Sequence, residues 1–231
     1  MTIQVEALKL HEKNRGKIAI TSKVAIQNNE ELALAYTPGV AEPCKAIAQN
    51  KAEVYRYTAK GNLVAVVSDG SAVLGLGNIG AEAAMPVMEG KAVLFKQFGG
   101  IDAMPICLDT QVPAEIIQSV KVLAPTFGGI NLEDIASPQC FEIEKKLDEL
   151  LDIPVFHDDQ HGTAIVVAAA IINSLKLVRK KLSDVKIVVN GPGSAGTAII
   201  TMLLKMGAKK VLVCDEHGLL SVNRPEPLIE H

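Results

Sequence analysis

From Leu63 onward, short runs of β-branched residues alternate with helical stretches, and this alternation restricts the fold more than any other feature. Strands are predicted in NLVAVVSD, AVLFKQF, MPICLD, TFGGINLED and IPVFHDD. Helices are predicted in AEAAMPVMEGKA, PAEIIQSVKVLAP and SPQCFEIEKKLDELL, the last with Ser137 as N-cap and Pro138 at the first helical position. The pattern predicts an α/β fold with a mainly parallel sheet.

A second unit follows a long apolar stretch. The segment from Gly162 to about Val178 is nearly all apolar and predicts a helix buried between layers. After it come a strand (KIVVN), a glycine turn (GPGSAG), a helix (TAIITMLLKM) and a strand (KKVLVCDE), which is the order of a Rossmann-like unit. We therefore expect one α/β domain over residues 1–161 and a dinucleotide-binding unit over 162–231.

Composition excludes several classes of protein. The chain has 231 residues, of which 48% are hydrophobic and 21% charged, as in ordinary globular proteins. A net charge of -3 gives no reason to expect nucleic acid or an anionic membrane as a partner. No apolar run reaches transmembrane length, and the N-terminus has no signal-peptide pattern. The four cysteines form no C-x-x-C pair, so we expect a reduced, cytoplasmic protein.

Two stretches match the G-x-G-x-x-G pattern of a loop that wraps a dinucleotide pyrophosphate, LGLGNIG at 74–80 and GPGSAG at 191–196. Such a loop directly follows a strand, opens a helix, and precedes a strand that ends in an acidic residue. The first stretch fails, because its strand ends near Asp69 and GSAV intervenes before the glycines. We interpret it as a glycine-rich turn beside a substrate pocket.

The second stretch meets all three conditions, since it follows KIVVN, opens a helix, and precedes VLVCD. Dinucleotide binding is therefore predicted at Gly191, Gly193, Ser194, Ala195, Gly196 and Asp215. A carboxylate at 215 would accept bonds from a ribose hydroxyl and repel a 2′-phosphate, which favours NAD over NADP. The alternative is a purely structural turn between strand and helix.

Two acidic pairs end neighbouring strands. Glu133-Asp134 close TFGGINLED and Asp158-Asp159 close IPVFHDD, with one helix between them. A right-handed crossover would place both pairs at the carboxyl edge of the sheet. Four carboxylates there would repel unless a cation joined them, and oxygen ligands favour Mg²⁺ or Mn²⁺. The alternative is that they are acids at helix N-termini.

Four other polar residues allow more than one interpretation. His157 and His161 in HDDQH have the spacing of a zinc pair, but the zincin pattern requires a helix through both and a glutamate after the first. Lys91 precedes an apolar run, so burial could lower its pKa and make it a base, although a surface lysine is the alternative. Tyr36 precedes a Thr-Pro-Gly turn and could be a packing residue.

Taken together, YTPGVAEPC, VSDGSAVLGLGNIG, EGKAVLF, GGIDAMPICLD, GGINLEDI, FHDDQHGTA and GPGSAG resemble the motifs of short bacterial malic enzymes. They occur in the family's order and cover nearly the whole chain. The resemblance implies oxidative decarboxylation of L-malate to pyruvate and CO₂, with NAD and a divalent cation. It also implies a homodimer whose active sites can borrow residues across the interface.

The resemblance assigns roles by motif. Tyr36 would be the acid that protonates the enolate carbon, and Lys91 the base that takes the C2 hydroxyl proton. Asp158 would orient the base or the metal shell. The metal ligands would be Glu133, Asp134 and Asp159.

Two departures from the family pattern stand out. Ala72 occupies the place where larger members carry a substrate-binding arginine. The nucleotide unit ends after its second strand, so we expect an incomplete Rossmann unit. The competing hypothesis is therefore a catalytically incompetent fragment that binds only metal or dicarboxylate.

Overall fold

The computed structural model describes residues 2–224 and begins with a segment of small helices. These are α1 (Ile3–Asn14), α2 (Asn29–Ala35), α3 (Ala41–Gln49) and α4 (Val54–Tyr57). None of the four contains a buried residue. Lys17 connects this segment to the rest of the chain, with its backbone N–H donating to Glu89 at 2.9 Å. Residues 2–57, here called the N-terminal segment, therefore add little to the core.

The predicted parallel sheet is confirmed. Its strands are β1 (Leu63–Ser68), β2 (Asp102–Cys107), β3 (Gly129–Leu132) and β4 (Val155–His157). They are all parallel in the order β2-β1-β3-β4. The chain moves from β1 to β2 on one side and then to β3 on the other, so the order reverses between β1 and β3. Such a reversal opens a crevice at the carboxyl ends of the strands.

Three helices cover this sheet: α5 (Ala81–Gly99), α6 (Pro113–Leu123) and α7 (Gln139–Leu150). The strand predicted for AVLFKQF is wrong, because α5 continues through it. Met88 and Ala92, four residues apart, are both buried on one face of this helix. The helical spacing of buried residues therefore extends into the apolar run that suggested a strand. The helix ends at Gly99, and the next residue, Gly100, caps it with a left-handed φ of 68° that suits a glycine.

The main core lies between the sheet and the pair α6 and α7. Its buried members are Ala65, Val67, Ile116, Val120, Ala124, Phe127, Ile130, Leu132, Ile135, Cys140, Ile143, Leu147 and Ile153. Ala65 and Val67 face this cluster, and Val66 between them is also fully buried. Burial on both faces is typical of a central parallel strand.

Two helix starts differ from the predictions. Helix α7 begins at Gln139, so Pro138 occupies the N-cap position and no side chain caps the helix. The helix α8 (Asp158–Leu177) begins directly after β4. Asp158 and Asp159 therefore lie in its first turn, where the helix dipole favours acidic side chains, and not at the end of a strand.

The prediction that the long helix is buried between layers is also wrong. Only Gln160, Ala164 and Ala168 of α8 are buried, and Val166 is 63% exposed. The second sheet contains the predicted β5 (Lys186–Asn190) and β6 (Lys210–Asp215), parallel and joined by α9 (Ser194–Lys205), and a short antiparallel β7 (Gly218–Leu219). Helix α8 packs against α9, but apolar side chains elsewhere on it, such as Ile165 and Leu177, are exposed. Within residues 2–224, no helix is long and apolar enough to cross a membrane.

Candidate functional site

Three carboxylates meet at the carboxyl edge of the first sheet. Glu133 and Asp134 directly follow β3, and Asp159 lies in the first turn of α8 after the neighbouring strand β4. One oxygen from each lies within 4.8 Å of the others. We call these three residues the carboxylate cluster. The structure thus brings together the three residues predicted as metal ligands.

Backbone and side-chain bonds hold the cluster in place. The Asp134 backbone N–H donates to Asp159 Oδ2 at 3.1 Å, which joins the β3 and α8 sides. The Asn131 amide donates to Glu133 Oε2 at 2.8 Å. Asp134 has a φ of 53°, a left-handed conformation that is uncommon outside glycine and often found at functional sites. The surrounding structure therefore fixes the direction of these carboxylates.

The cluster is electrostatically suited to a cation. Burial raises the pKa of Glu133 to about 7, and burial together with the charge of Asp159 raises the pKa of Asp134 to about 6. Burial also raises the pKa of Asp159. Asp134 Oδ2 is buried with no hydrogen-bond partner. A donor set made only of oxygen atoms, crowded and under-satisfied, fits Mg²⁺ or Mn²⁺.

Lys91 connects the cluster to Asp158. The Lys91 ammonium, on α5, lies 3.0 Å from Glu133 Oε1 and 2.7 Å from Asp158 Oδ2, with its side chain only 19% exposed. Burial lowers the pKa of Lys91, but the hydrogen bond to Asp158 and the charge of Glu133 outweigh it, and the pKa is raised. The expected lowering is therefore wrong, because the sequence shows the apolar surroundings but not the paired carboxylates.

Asp158 does not join the carboxylate cluster but turns toward Lys91. Its carboxylate lies against Gly162, one helical turn further along α8. A Cβ at position 162 would overlap the Asp158 carboxylate, so the glycine leaves the space that this side chain occupies. The acidic pair is thus divided between two tasks: Asp159 joins the cluster and Asp158 holds the lysine.

Tyr36 is not brought to this site. It caps the C-terminus of α2 and is 67% exposed. Within residues 2–224, no hydrogen bond or ring contact joins its side chain to Lys91 or to the carboxylate cluster.

The first glycine loop borders the cluster. The Ala72 backbone N–H donates to the Asp134 carbonyl at 3.0 Å, and Ser71 Oγ accepts from the Ala136 backbone N–H at 2.8 Å. The pattern glycines after these residues adopt positive φ values: Gly75 76°, Gly77 73° and Gly80 80°. The loop therefore supports the β3 end of the cluster before α5 begins.

The second glycine loop has the geometry of a phosphate-binding turn. Gly191 has a φ of 101°, and a Cβ on Gly196 would overlap the Gly191 carbonyl. A Cβ on Gly193 would meet nothing, so the space above this residue is open. Helix α9 begins at Ser194 without a side-chain cap, which leaves the amides of its first turn, including that of Ala195, available to an anion.

Asp215 ends β6 as predicted, but it already has a partner. Arg224 Nη1 lies 2.7 Å from Asp215 Oδ2, and the His217 backbone N–H donates to Oδ1 at 2.9 Å. The hydrogen bond from Arg224 lowers the pKa of Asp215. Sequence reasoning missed Arg224, because the arginine lies in a turn outside any motif.

The histidine pair does not form a zinc site. His157 ends β4 and His161 lies on α8, so no single helix carries both. His161 Nε2 instead lies 2.7 Å from Oε1 of Glu144 on α7. Glu144 is the second residue that sequence reasoning missed, because its three partners become visible only after folding.

Two domain descriptions match the chain. "Malic enzyme, N-terminal domain" matches residues 13–148, and "Malic enzyme, NAD binding domain" matches residues 160–229.

Among known proteins, the bifunctional malic/malolactic enzyme of Bacillus subtilis is 57% identical over 225 residues, covering 97% of this chain and 55% of the relative. The NADP-dependent malic enzyme of Escherichia coli is 52% identical over 231 residues, covering 99% of this chain and 30% of the relative. The chain thus spans about half or less of these relatives.

The crystal structure of the NAD-dependent malic enzyme from Thermotoga maritima superimposes with a TM-score of 0.94 at 54% identity, covering 97% of this chain and 59% of that one. Matching descriptions on both parts of the sequence, together with a shared fold at this identity, show that the chain belongs to the malic enzyme family.

Proposed function

We propose that this chain is part of a cytoplasmic enzyme that converts L-malate to pyruvate and CO₂ with reduction of NAD, and that the reaction depends on Mg²⁺ or Mn²⁺. The observation that carries the proposal is Lys91, held between Asp158 and a buried oxygen cluster at the reversal of the strand order. In the proposed division, residues 1–161 hold substrate and metal, and residues 162–231 begin the NAD unit.

The cation would be held by Glu133, Asp134 and Asp159. When bound, the cation supplies a Lewis acid and NAD supplies a hydride acceptor. The other tasks fall to side chains of this protein. A base takes the C2 hydroxyl proton as C2 loses its hydride, and an acid returns a proton to C3 after CO₂ leaves.

Lys91 is the proposed base. Its raised pKa keeps it protonated, so its proton must move before it can accept another one. Asp158 Oδ2, at 2.7 Å, orients the ammonium. A divalent cation held by Glu133 would offset part of the negative charge that raises the pKa of Lys91, and so favour loss of this proton to solvent. The neutral Nζ can then accept the proton of the C2 hydroxyl.

Tyr36 is the proposed acid, supplied within a homodimer. Its exposed ring has no contact with the carboxylate cluster of its own chain, and the N-terminal segment around it carries exposed apolar side chains such as Ile20 and Leu34. Apolar surface of this kind is typical of an interface with another chain. A second copy could therefore bring Tyr36 to the site.

We propose NAD as the nucleotide, although the chain resembles both NAD- and NADP-dependent relatives. An acid at the end of β6 favours a free ribose hydroxyl. Arg224, however, pairs with Asp215 at 2.7 Å and offsets the negative charge that would repel a 2′-phosphate. Measured rates with each nucleotide decide the preference.

The test is malate-dependent NADH formation in Mn²⁺ by the 231-residue chain and its variants. We expect Asp159→Asn to abolish the activity, and Asp152→Asn, at an exposed acid before β4, to retain it. Lys91→Ala should be inactive and partly restored by an added small amine, with Lys96→Ala on the same helix as the control. Activity of Lys91→Ala without amine would show that the base is assigned wrongly.

The second candidate is a chain that binds metal or dicarboxylate without turnover. It is favoured by Tyr36, which is 67% exposed and has no hydrogen bond to Lys91 or to the carboxylate cluster within residues 2–224. Calorimetry with Mn²⁺ and malate distinguishes the two. Binding without NADH formation, beside an active longer version, would support the second candidate.

A further inference from the structure

Glu144 faces the first turn of α8 from the adjacent helix α7. Its side chain is only 15% exposed, and its helix neighbours Ile143 and Leu147 are fully buried. It belongs neither to the carboxylate cluster nor to the nucleotide loop. A carboxylate on a rigid element at this depth is expected to have several hydrogen-bond donors around it.

Glu144 contacts three nitrogen atoms in the segment that carries the acidic pair. Its Oε1 accepts from the His157 backbone N–H at 3.1 Å and lies 2.7 Å from His161 Nε2. Its Oε2 accepts from Gln160 Nε2 at 3.0 Å. The three nitrogen atoms belong to His157, just before the acidic pair, and to Gln160 and His161, just after it. One carboxylate therefore holds both sides of the pair.

This arrangement fixes where the acidic pair points. His157 is the N-cap residue of α8, and its own side chain does not cap the helix. Its backbone N–H donates to the Glu144 carboxylate from α7. The His157 ring is fully buried, with Nε2 3.5 Å from Asp159 Oδ2, and it stays in place only if the backbone at 157 does. A shift of this turn would move Asp159 from Asp134 and Asp158 from Lys91.

We propose that Glu144 is a positioning residue that holds the first turn of α8, so that Asp159 reaches the carboxylate cluster and Asp158 reaches Lys91. The part of this inference that concerns cation affinity rests on the proposed function. The part that concerns the turn does not. Supporting groups around metal ligands typically change metal affinity by about 10- to 100-fold when removed.

The experiment compares Glu144→Ala, Glu144→Gln and Glu142→Ala, an exposed glutamate on the same helix. Free Mn²⁺ measured by electron paramagnetic resonance gives the dissociation constant of each variant. Deuterium uptake by metal-free protein reports the turn at 157–161. Melting temperatures report global stability, and all binding is measured well below them.

For Glu144→Ala we expect Mn²⁺ binding about 10- to 100-fold weaker and faster deuterium uptake at the turn. Glu144→Gln keeps an oxygen for the His157 N–H, and the Gln160 amide can rotate to accept from the new amide, so most of the affinity should return. Glu142→Ala should match the unaltered chain in both measurements.

Three outcomes would overturn the role. A lower melting temperature with unchanged Mn²⁺ affinity would mean that Glu144 only stabilises the fold. If Glu144→Gln and Glu144→Ala weakened Mn²⁺ binding equally, the charge of Glu144 would act at a distance and not through its hydrogen bonds. Unchanged deuterium uptake in Glu144→Ala would mean that the turn does not depend on it. If the unaltered chain binds no Mn²⁺, the proposed metal site fails, while faster uptake in Glu144→Ala would still support the positioning role.

Discussion

The Lys91 ammonium lies between two carboxylates, 2.7 Å from Asp158 and 3.0 Å from Glu133. Burial alone would favour the neutral amine. The pKa is instead raised, because the hydrogen bonds and charges of Asp158 and Glu133 stabilise the ammonium more than burial opposes it. The protonation of this lysine is therefore set by its partners.

We predict that Asp158→Asn lowers the pKa of Lys91, because it removes the nearer of the two negative charges and leaves burial less opposed. A pH titration of the Lys91 ammonium by nitrogen-15 NMR measures the change. Asp152→Asn, at an exposed site, should leave the value where it was. An unchanged pKa in Asp158→Asn would mean that the two side chains do not pair in solution.

Gly162→Ala tests the space beside Asp158. The new Cβ would overlap the Asp158 carboxylate and turn it away from Lys91. Alanine favours the helix by about 1 kcal/mol over glycine, which offsets part of the strain. We expect a folded protein whose proposed activity falls by about 10²-fold, the scale of acid–base assistance.

Ser174→Ala, at an exposed position later in α8, is the matched control for helix propensity. It should keep full activity. If Gly162→Ala also kept it, the orientation of Asp158 would not matter to the reaction.

At the scale of elements, the end of β3 and the first turn of α8 place three carboxylates at one edge of the sheet, and burial raises their pKa values. In the metal-free protein, folding favours the protonated form of a carboxylate whose pKa is raised. Between the ordinary value of 4.5 and the folded value of about 7, the Glu133 carboxylate therefore destabilises the fold as pH rises. A cation binds the deprotonated carboxylates and offsets this destabilisation.

We predict that the rise in melting temperature caused by Mn²⁺ is larger at pH 8 than at pH 5.5, where protons compete at Glu133 and Asp134. At a hundredfold excess over the dissociation constant, binding contributes about 2.7 kcal/mol. Differential scanning fluorimetry measures the effect, and Asp159→Asn should remove it at both pH values. An equal rise at both would contradict the raised pKa values.

The glycines of the nucleotide loop have separable roles. A side chain at Gly196 would collide with the Gly191 carbonyl, so Gly196→Ala should lower the melting temperature of the chain. Gly193 faces open space, so Gly193→Ala should keep the melting temperature but weaken NAD binding, measured by calorimetry. Equal stability loss in both variants would contradict this division.

At the scale of the whole molecule, Tyr36 lies on an N-terminal segment whose helices bury no residue within the chain. If a partner chain receives this tyrosine, a mixture of Tyr36→Phe and Lys91→Ala chains contains dimers with one complete site. We predict that mixing restores NADH formation that neither variant shows alone. Analytical ultracentrifugation should show the dimer, and a mixture without activity would place Tyr36 in its own chain's site.

Several parts of the molecule follow directly from the order of residues. Alternation of strand and helix patterns predicted the parallel sheet around β1. Acids after two successive strands predicted the meeting of Glu133 with Asp159. These inferences succeed because periodicity, turn chemistry and strand direction act over a few residues or through fixed topology.

The sequence by itself thus determined the fold class, the nucleotide-type loop and an all-oxygen cluster. Only the tertiary structure decided that α5 runs through residues 92–99, that Asp158 faces Lys91, and that Arg224 pairs with Asp215. It also decided the sign of the Lys91 pKa shift and the three partners of Glu144. The physical reason is that electrostatic and hydrogen-bond energies depend on distance and burial, and for residues far apart in the chain these are fixed only when the elements pack.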